Sequence, residues 1–253
     1  MRNKITVFFT ICLFICGQSL AQKKIRVAVA ANMQYAAEAL KMAFEKKEHI
    51  AVELIVGSSG KLTQQIMSGA PFDVFISADT EYPQKLAAAK LAAGIPKIYA
   101  RGLLVLWTLN KNIALNPDLQ FLSGTGIKTI AIANPRTAPY GTAAENLLKK
   151  YKLYDKLKSK LVFGESITQA SQYISTGAVD VGFTAKSIVL SKEMQGRGKW
   201  MDVKNTDYEP INQSALLLTY GAKNHPVEAK KFYGFLFAAE AAGIYKSFGY
   251  IVK

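Results

Sequence analysis

The chain has 253 residues, a formal net charge of +14 and 50% hydrophobic residues, a length that suits one large domain or two lobes, since single cores stop growing near ~250 residues. A positive excess can serve nucleic acid, an anionic surface or an anionic solute, but no arginine-rich block or aromatic-interleaved basic stripe is present, which argues against nucleic acid. Lys149, Lys150, Lys152, Lys156, Lys158 and Lys160 are scattered among acids and apolar residues, as on a solvated helical face.

Residues 1–21 read as a secretory leader. Arg2 and Lys4 charge its start, residues 5–16 form a short apolar run, and Ser19 and Ala21 are the small residues that precede a cut after Ala21. The run falls short of the ~20 apolar residues needed to span a bilayer. A lipoprotein signal is disfavoured because Ile15 stands where a small residue is wanted before Cys16. Cys12 and Cys16 leave with this segment, so the expected mature chain of 232 residues, net charge +12, forms no disulfide and no thiolate metal site.

From residue 25 the pattern alternates. An apolar run over 25–31 is followed, over 35–47, by Ala36, Ala39, Leu40, Ala43 and Phe44 at helical spacing. Strands are expected over 52–56 and 74–77, with helices over 61–68 and 81–89. This alternation predicts an α/β fold of mostly parallel strands with crossover helices. A further strand over 103–109 precedes a polar loop over 110–117. The rhythm then restarts with strand 129–133, helix 142–151, strand 161–163, helix 168–175 and strand 179–183. A strand over 213–219 and helices over 227–237 and 239–248 complete the chain. Two sheets without a flexible linker predict two lobes joined by strand crossings near 99–102 and 207–211, with a ligand cleft between them. The boundaries are then 22–100 with 209–253 for lobe I and 101–208 for lobe II.

In open α/β sheets ligands sit at the carboxyl ends of strands, where helix amino termini point. Four such junctions carry small or hydroxyl residues: Ala31-Asn32-Met33, Gly57-Ser58-Ser59-Gly60, Pro139-Tyr140-Gly141 and Glu165-Ser166-Ile167-Thr168. A helix start offers unpaired N–H groups and a partial positive charge, which suits an anion. Any one of the four reads as an ordinary cap; four together point to a site. Gly60-Lys61 is not a phosphate loop, because Ile55 replaces the first glycine and Leu62 the Ser or Thr.

The block Gly57-Ser58-Ser59-Gly60-Lys61-Leu62, with Gln65-Ile66, Gly69-Ala70-Pro71 and residues 73–79, resembles the periplasmic molybdate-binding proteins of ABC transporters. Asn134-Pro135, Ala138-Pro139-Tyr140-Gly141, Lys160-Leu161-Val162 with Glu165, residues 177–182 and Phe248-Gly249-Tyr250 agree with it, so the likeness covers nearly the whole mature chain. The resemblance implies a monomeric, two-lobed periplasmic protein that captures molybdate or tungstate and hands it to a membrane permease. It implies an oxyanion held by backbone N–H groups and neutral side chains, with no cofactor and no cation. Carried over by position, the ligand residues are Asn32, Ser59, Tyr140 and, through its backbone N–H, Ile167. A fifth position, commonly Tyr, is Ala185 here. Tyr140, or alternatively Lys186, would replace the missing hydroxyl, with Tyr140 the favoured substitute.

Two other readings compete. The same architecture could bind sulfate, phosphate or an organic carboxylate, since fold alone does not select a solute. Phosphate keeps a proton near pH 7 and would need a carboxylate acceptor; Glu165 and Asp79 are near in sequence. A secreted hydrolase is disfavoured: His49 lies in the 46–50 connection and His225 precedes Pro226 at a helix entry, neither placed as a general base or ligand and each read as a solvated loop histidine, Ser58-Ser59 lacks a nucleophile elbow, and no metal-spaced cluster is present.

Overall fold

The computed structural model describes residues 24–252, so the expected leader over 1–21 lies outside the described residues. The described chain forms two five-stranded sheets. In the first, β1 (Lys24–Ala30) pairs in parallel with β2 (Ala51–Gly57) and β3 (Val74–Ser77), and β10 (Ile211–Leu217) runs antiparallel between β3 and β4 (Lys97–Gly102). In the second, β6 (Ile130–Ala133) is parallel to β7 (Leu161–Gly164) and β8 (Val181–Ala185), while β5 (Leu104–Thr108) is antiparallel to β8 and β9 (Lys199–Asp202). Both sheets are therefore mixed. Their parallel parts come from the expected crossovers; the antiparallel strands are those next to the lobe crossings.

The inner strands are continuous apolar runs because helices cover both faces. Strands β3, β5, β6 and β8 are buried at every residue. Helix α1 (Gln34–Glu48) buries Ala36, Ala37, Leu40 and Phe44 on one face, where Phe44 meets Phe232 edge-on at 5.0 Å. It ends at His49, whose left-handed φ of 54° lets its N–H return to Glu45 O. Helices α2 (Ser59–Met67) and α3 (Glu81–Ala88) complete the crossovers of the first lobe.

In the second lobe the crossovers are α4 (Pro139–Lys150), α5 (Tyr154–Leu157) and α6 (Ile167–Ser175), with α7 (Lys186–Val189) after β8. Helix α4 begins three residues before the expected position because Pro139 supplies a pre-set φ at N1, where its missing N–H has no cost. The strand expected over 179–183 starts instead at Val181, since Asp180 is held in the loop by the N–H groups of Lys128 and Thr129 at 2.7 and 2.9 Å. Only Leu103 separates β4 from β5, and residues 203–210 carry the chain back from β9 to β10.

Helices α8 (Thr219–Asn224), α9 (Pro226–Phe235) and α10 (Ala239–Ser247) return to the first sheet. They are anchored by Asp73, which is fully buried, accepts Arg26 N–H at 2.6 Å and lies 2.7 Å from His225 Nδ1. His225 is thus a paired residue at the α8–α9 junction and not the solvated loop histidine expected. Gly221 passes so close that a Cβ would stand 2.6 Å from Asp73 Cα. Asp73→Ala leaves the Arg26 amide and His225 without their shared acceptor. We expect a loss of about 2–3 kcal/mol, read as a lower urea midpoint at pH 7; a loss under about 0.5 kcal/mol would mark the pair as idle.

Candidate functional site

Four segments that leave a strand and enter a helical turn meet between the lobes. The first lobe contributes the Ala31–Met33 turn after β1 and Ser58 with Ser59 at the start of α2. The second contributes Pro139 and Tyr140 at the start of α4 and Ile167 at the start of α6. The cavity they form is small, about 10 Å³, far below the roughly 300–1,000 Å³ of sites for drug-sized ligands. The structure therefore brings Asn32, Ser59, Tyr140 and Ile167 together. Ala185, buried at the end of β8, does not line this cavity.

The chain itself takes several of the amides at these helix starts. Gly60 N–H reaches Thr137 O across the cleft at 2.9 Å, Gly141 N–H turns back to Ala138 O at 2.8 Å, and Gln169 N–H goes to the Ser166 hydroxyl at 3.3 Å. Pro139 has no N–H. The amides of Ser59, Tyr140 and Ile167 are then the first-turn donors on the cavity wall, each at the positive end of a helix. Ser59 Oγ accepts Ala78 N–H at 3.1 Å, which leaves its own hydrogen for another acceptor. Ser58 Oγ, Asn32 Oδ1 and Tyr140 Oη are buried without a partner in the protein. Orphaned polar atoms are rare in folded interiors, and Ser58 and Asn32 place two of them on residues that line this cavity, which makes it the candidate site.

The lining residues carry no charged side chain. Asp79, one residue past the wall, is mostly buried, and burial pushes its carboxyl up to about 6 although Tyr82 N–H and Ser77 Oγ donate to it. Glu165 pairs with Lys61 across the cleft mouth. Lys186 turns away to Asp202 at 2.9 Å and lies over the Trp200 ring. The Tyr140 hydroxyl points at the lobe crossing, where a Cβ on Gly102 would overlap it. Burial holds this phenol well above its ordinary pKa, the Tyr250 and Tyr208 phenols add to the effect, and the Asn32 side chain beside it opposes them without completing a hydrogen bond.

Contacts across the cleft close the site. Thr168 Oγ1 donates to Ala31 O at 3.1 Å, Tyr82 Oη to Arg136 O at 3.1 Å, and Ser187 Oγ to Asn32 O at 2.7 Å. Gly60 is required by this closure, since a Cβ there would come within 2.9 Å of Thr137 Cα. Thr168 belongs to one of the four junctions expected to form the site, whereas Gly102, Gln213 and Ser187 lie outside them. Gln213 carried a weak signal, one of two adjacent amides, with Asn212, in an otherwise apolar and hydroxyl-bearing strand.

Among known proteins, the pattern shared by bacterial extracellular solute-binding proteins matches residues 25–251. The molybdate-binding protein ModA of Rhodobacter capsulatus is 39% identical over 234 residues, covering 92% of this chain and 90% of the relative. ModA of Azotobacter vinelandii is 38% identical over 239 residues, covering 94% and 93% respectively. The solved structure of the Azotobacter vinelandii periplasmic molybdate-binding protein superposes with a TM-score of 0.85 at 34% identity, across 90% of this chain and 99% of that one. These likenesses run through both lobes and the crossings between them, and the chain belongs to the family of bacterial extracellular solute-binding proteins.

Proposed function

We propose that this protein is exported under a cleaved leader, captures molybdate or tungstate in its interlobe cavity as a monomer, and delivers it to an ABC transporter permease. The observation that carries this reading is the convergence of four helix starts, two from each lobe, on a small cavity without a charged side chain. Such a cavity offers donors fixed in direction, which suits a fully ionised tetrahedral oxyanion that can only accept. The molybdate-binding relatives support the choice among oxyanions. In this reading Asn32 and Ser59 contribute from the first lobe, and the Tyr140 and Ile167 amides from the second. Ala185 makes no contact, and its missing hydroxyl is replaced by main-chain donors. No described helix is long and apolar enough to cross a membrane.

Calorimetry on the mature chain should show one tight site for molybdate and for tungstate, with sulfate and phosphate far weaker. Equal binding of all four, or none, would remove the assignment. Ser59→Ala deletes a neutral donor from a buried anion, so molybdate affinity should fall about tenfold, with unchanged affinity pointing to the amides alone.

Asp79 adds a pH dependence. Its folded value of about 6 lies above the ordinary 3.8, so the native state holds the proton more tightly and stability declines as pH rises through that window. The carboxylate that appears above about 6 stands one residue from the cavity wall and repels an anion. Molybdate affinity should therefore rise as pH is lowered from about 7.5 to about 5.5, across the window in which Asp79 takes up its proton. Asp79→Asn should flatten the profile; an identical slope in the variant would exclude Asp79 as its source.

A further inference from the structure

The side chain of Asn32 is held by partners on two other parts of the chain. Gln213, fully buried on β10, directs its Nε2 at two carbonyls, Ala78 O at 3.3 Å and Ile211 O at 3.1 Å. Carbonyls only accept, so the orientation of the Gln213 amide is fixed by chemistry and its Oε1 must face the other way. That oxygen lies 2.7 Å from Asn32 Nδ2. The second hydrogen of the same nitrogen goes to Tyr250 Oη at 2.9 Å. Both carboxamide hydrogens of Asn32 are thereby used, and its remaining polar atom, Oδ1, is an acceptor.

The main chain of Asn32 is held in the same way. Its carbonyl accepts from Tyr250 Oη at 3.0 Å and from Ser187 Oγ at 2.7 Å. Tyr250 follows α10 in the C-terminal segment, which pairs with β4 through Ile251 and Arg101 and packs against α7 at Gly249. The turn after β1 is thus clamped from the crossing strand, the C-terminal segment and the second lobe.

Resting on the oxyanion reading above, we propose that Gln213 and Tyr250 are positioning residues for the site, which hold the Asn32 turn so that its main-chain N–H groups, and not its carboxamide, face the ligand. An acceptor cannot bind a fully ionised oxyanion, and a carboxamide whose hydrogens are both engaged presents only an acceptor. The Ala31–Met33 turn, by contrast, opens a helical stretch whose leading amides lack intrahelical partners. Asn32 then has the role of a strut. Its amide ties the turn to the hinge and leaves recognition to the backbone.

The test uses molybdate calorimetry on the mature chain for Asn32→Ala, Tyr250→Phe and the double variant, with amide hydrogen exchange at Asn32 and Met33 in the ligand-free proteins. Each single variant should weaken molybdate about tenfold, the double variant should be no weaker than the worse single one, and exchange at the two amides should accelerate while that at Ser59 does not. Wild-type affinity in Tyr250→Phe, or additive losses in the double variant, would overturn the proposal while leaving the oxyanion reading intact. If the wild-type chain bound no molybdate, that reading would fail, and the exchange data would still decide whether Tyr250 holds the turn. Gln213→Met serves as a second variant, with the same expected pattern and the same overturning result should Tyr250→Phe fold poorly.

Discussion

Closure of the two lobes depends on a main chain that approaches a main chain with no side chain between. At Gly60 the N–H group of a helix start in one lobe reaches Thr137 O in the other at 2.9 Å, and a Cβ at that position would collide with the Thr137 backbone. Because this contact is so close, the starts of α2 and α4 lie side by side, and the remaining first-turn amides point into a shared space. The other cross-cleft bonds, from Thr168, Tyr82 and Ser187, extend the seam on either side. A site built from helix starts needs such proximity, since the field of a helix terminus falls off within its first turn.

The proposed anion site and the charge of the molecule act at different ranges. The excess of Lys and Arg produces a field outside the protein, screened beyond about 8–10 Å at physiological ionic strength. Near the cleft two cations are already committed: Lys61 pairs with Glu165 and Lys186 with Asp202. The first pair is exposed on both sides, and exposed pairs contribute little to stability. Inside the cavity, oriented amides replace cations. Fixed dipoles in a closed, low-dielectric space need no reorganisation to meet a charge. Their directions also select for shape, which a mobile ammonium group does less well.

Much of the fold was legible because strands buried on both faces and amphipathic helices leave opposite signatures in sequence. The run at 74–77 and the helix over Ala36, Leu40 and Phe44 were visible on this ground. The edge strand β9 was not, since Lys199 and Asp202 break the apolar pattern where one side of the strand meets solvent, and β4 was legible only as the crossing near 99–102, its start hidden by Lys97. The junctions at Asn32, Ser59, Tyr140 and Ile167 were legible as helix starts with small or neutral residues. Their partners were hidden by distance along the chain: Gln213 lies 181 residues from Asn32 and Tyr250 lies 218 away. A local pattern carries no trace of such pairings. The direction of the Tyr140 phenol was hidden for the same reason, being set by the bare backbone of Gly102 at the crossing.

That last relation ties recognition to movement. Tyr140 belongs to α4 in the second lobe, yet its hydroxyl occupies the space beside Gly102 and Gln213 on the strands that join the lobes. Its backbone amide faces the cavity from the same residue. A shift of α4 that alters the donor geometry must therefore move the ring against the crossing, and a bend at the crossing must move the amide. Asn32 makes the matching connection in the first lobe, through Gln213 on the return strand. Because packed interiors switch between discrete arrangements and do not deform smoothly, the proposed donor positions and the lobe crossings share these two residues. In the proposed reading, a solute that draws the amides inward would act on the hinge through the same atoms, which would make closure and recognition one equilibrium.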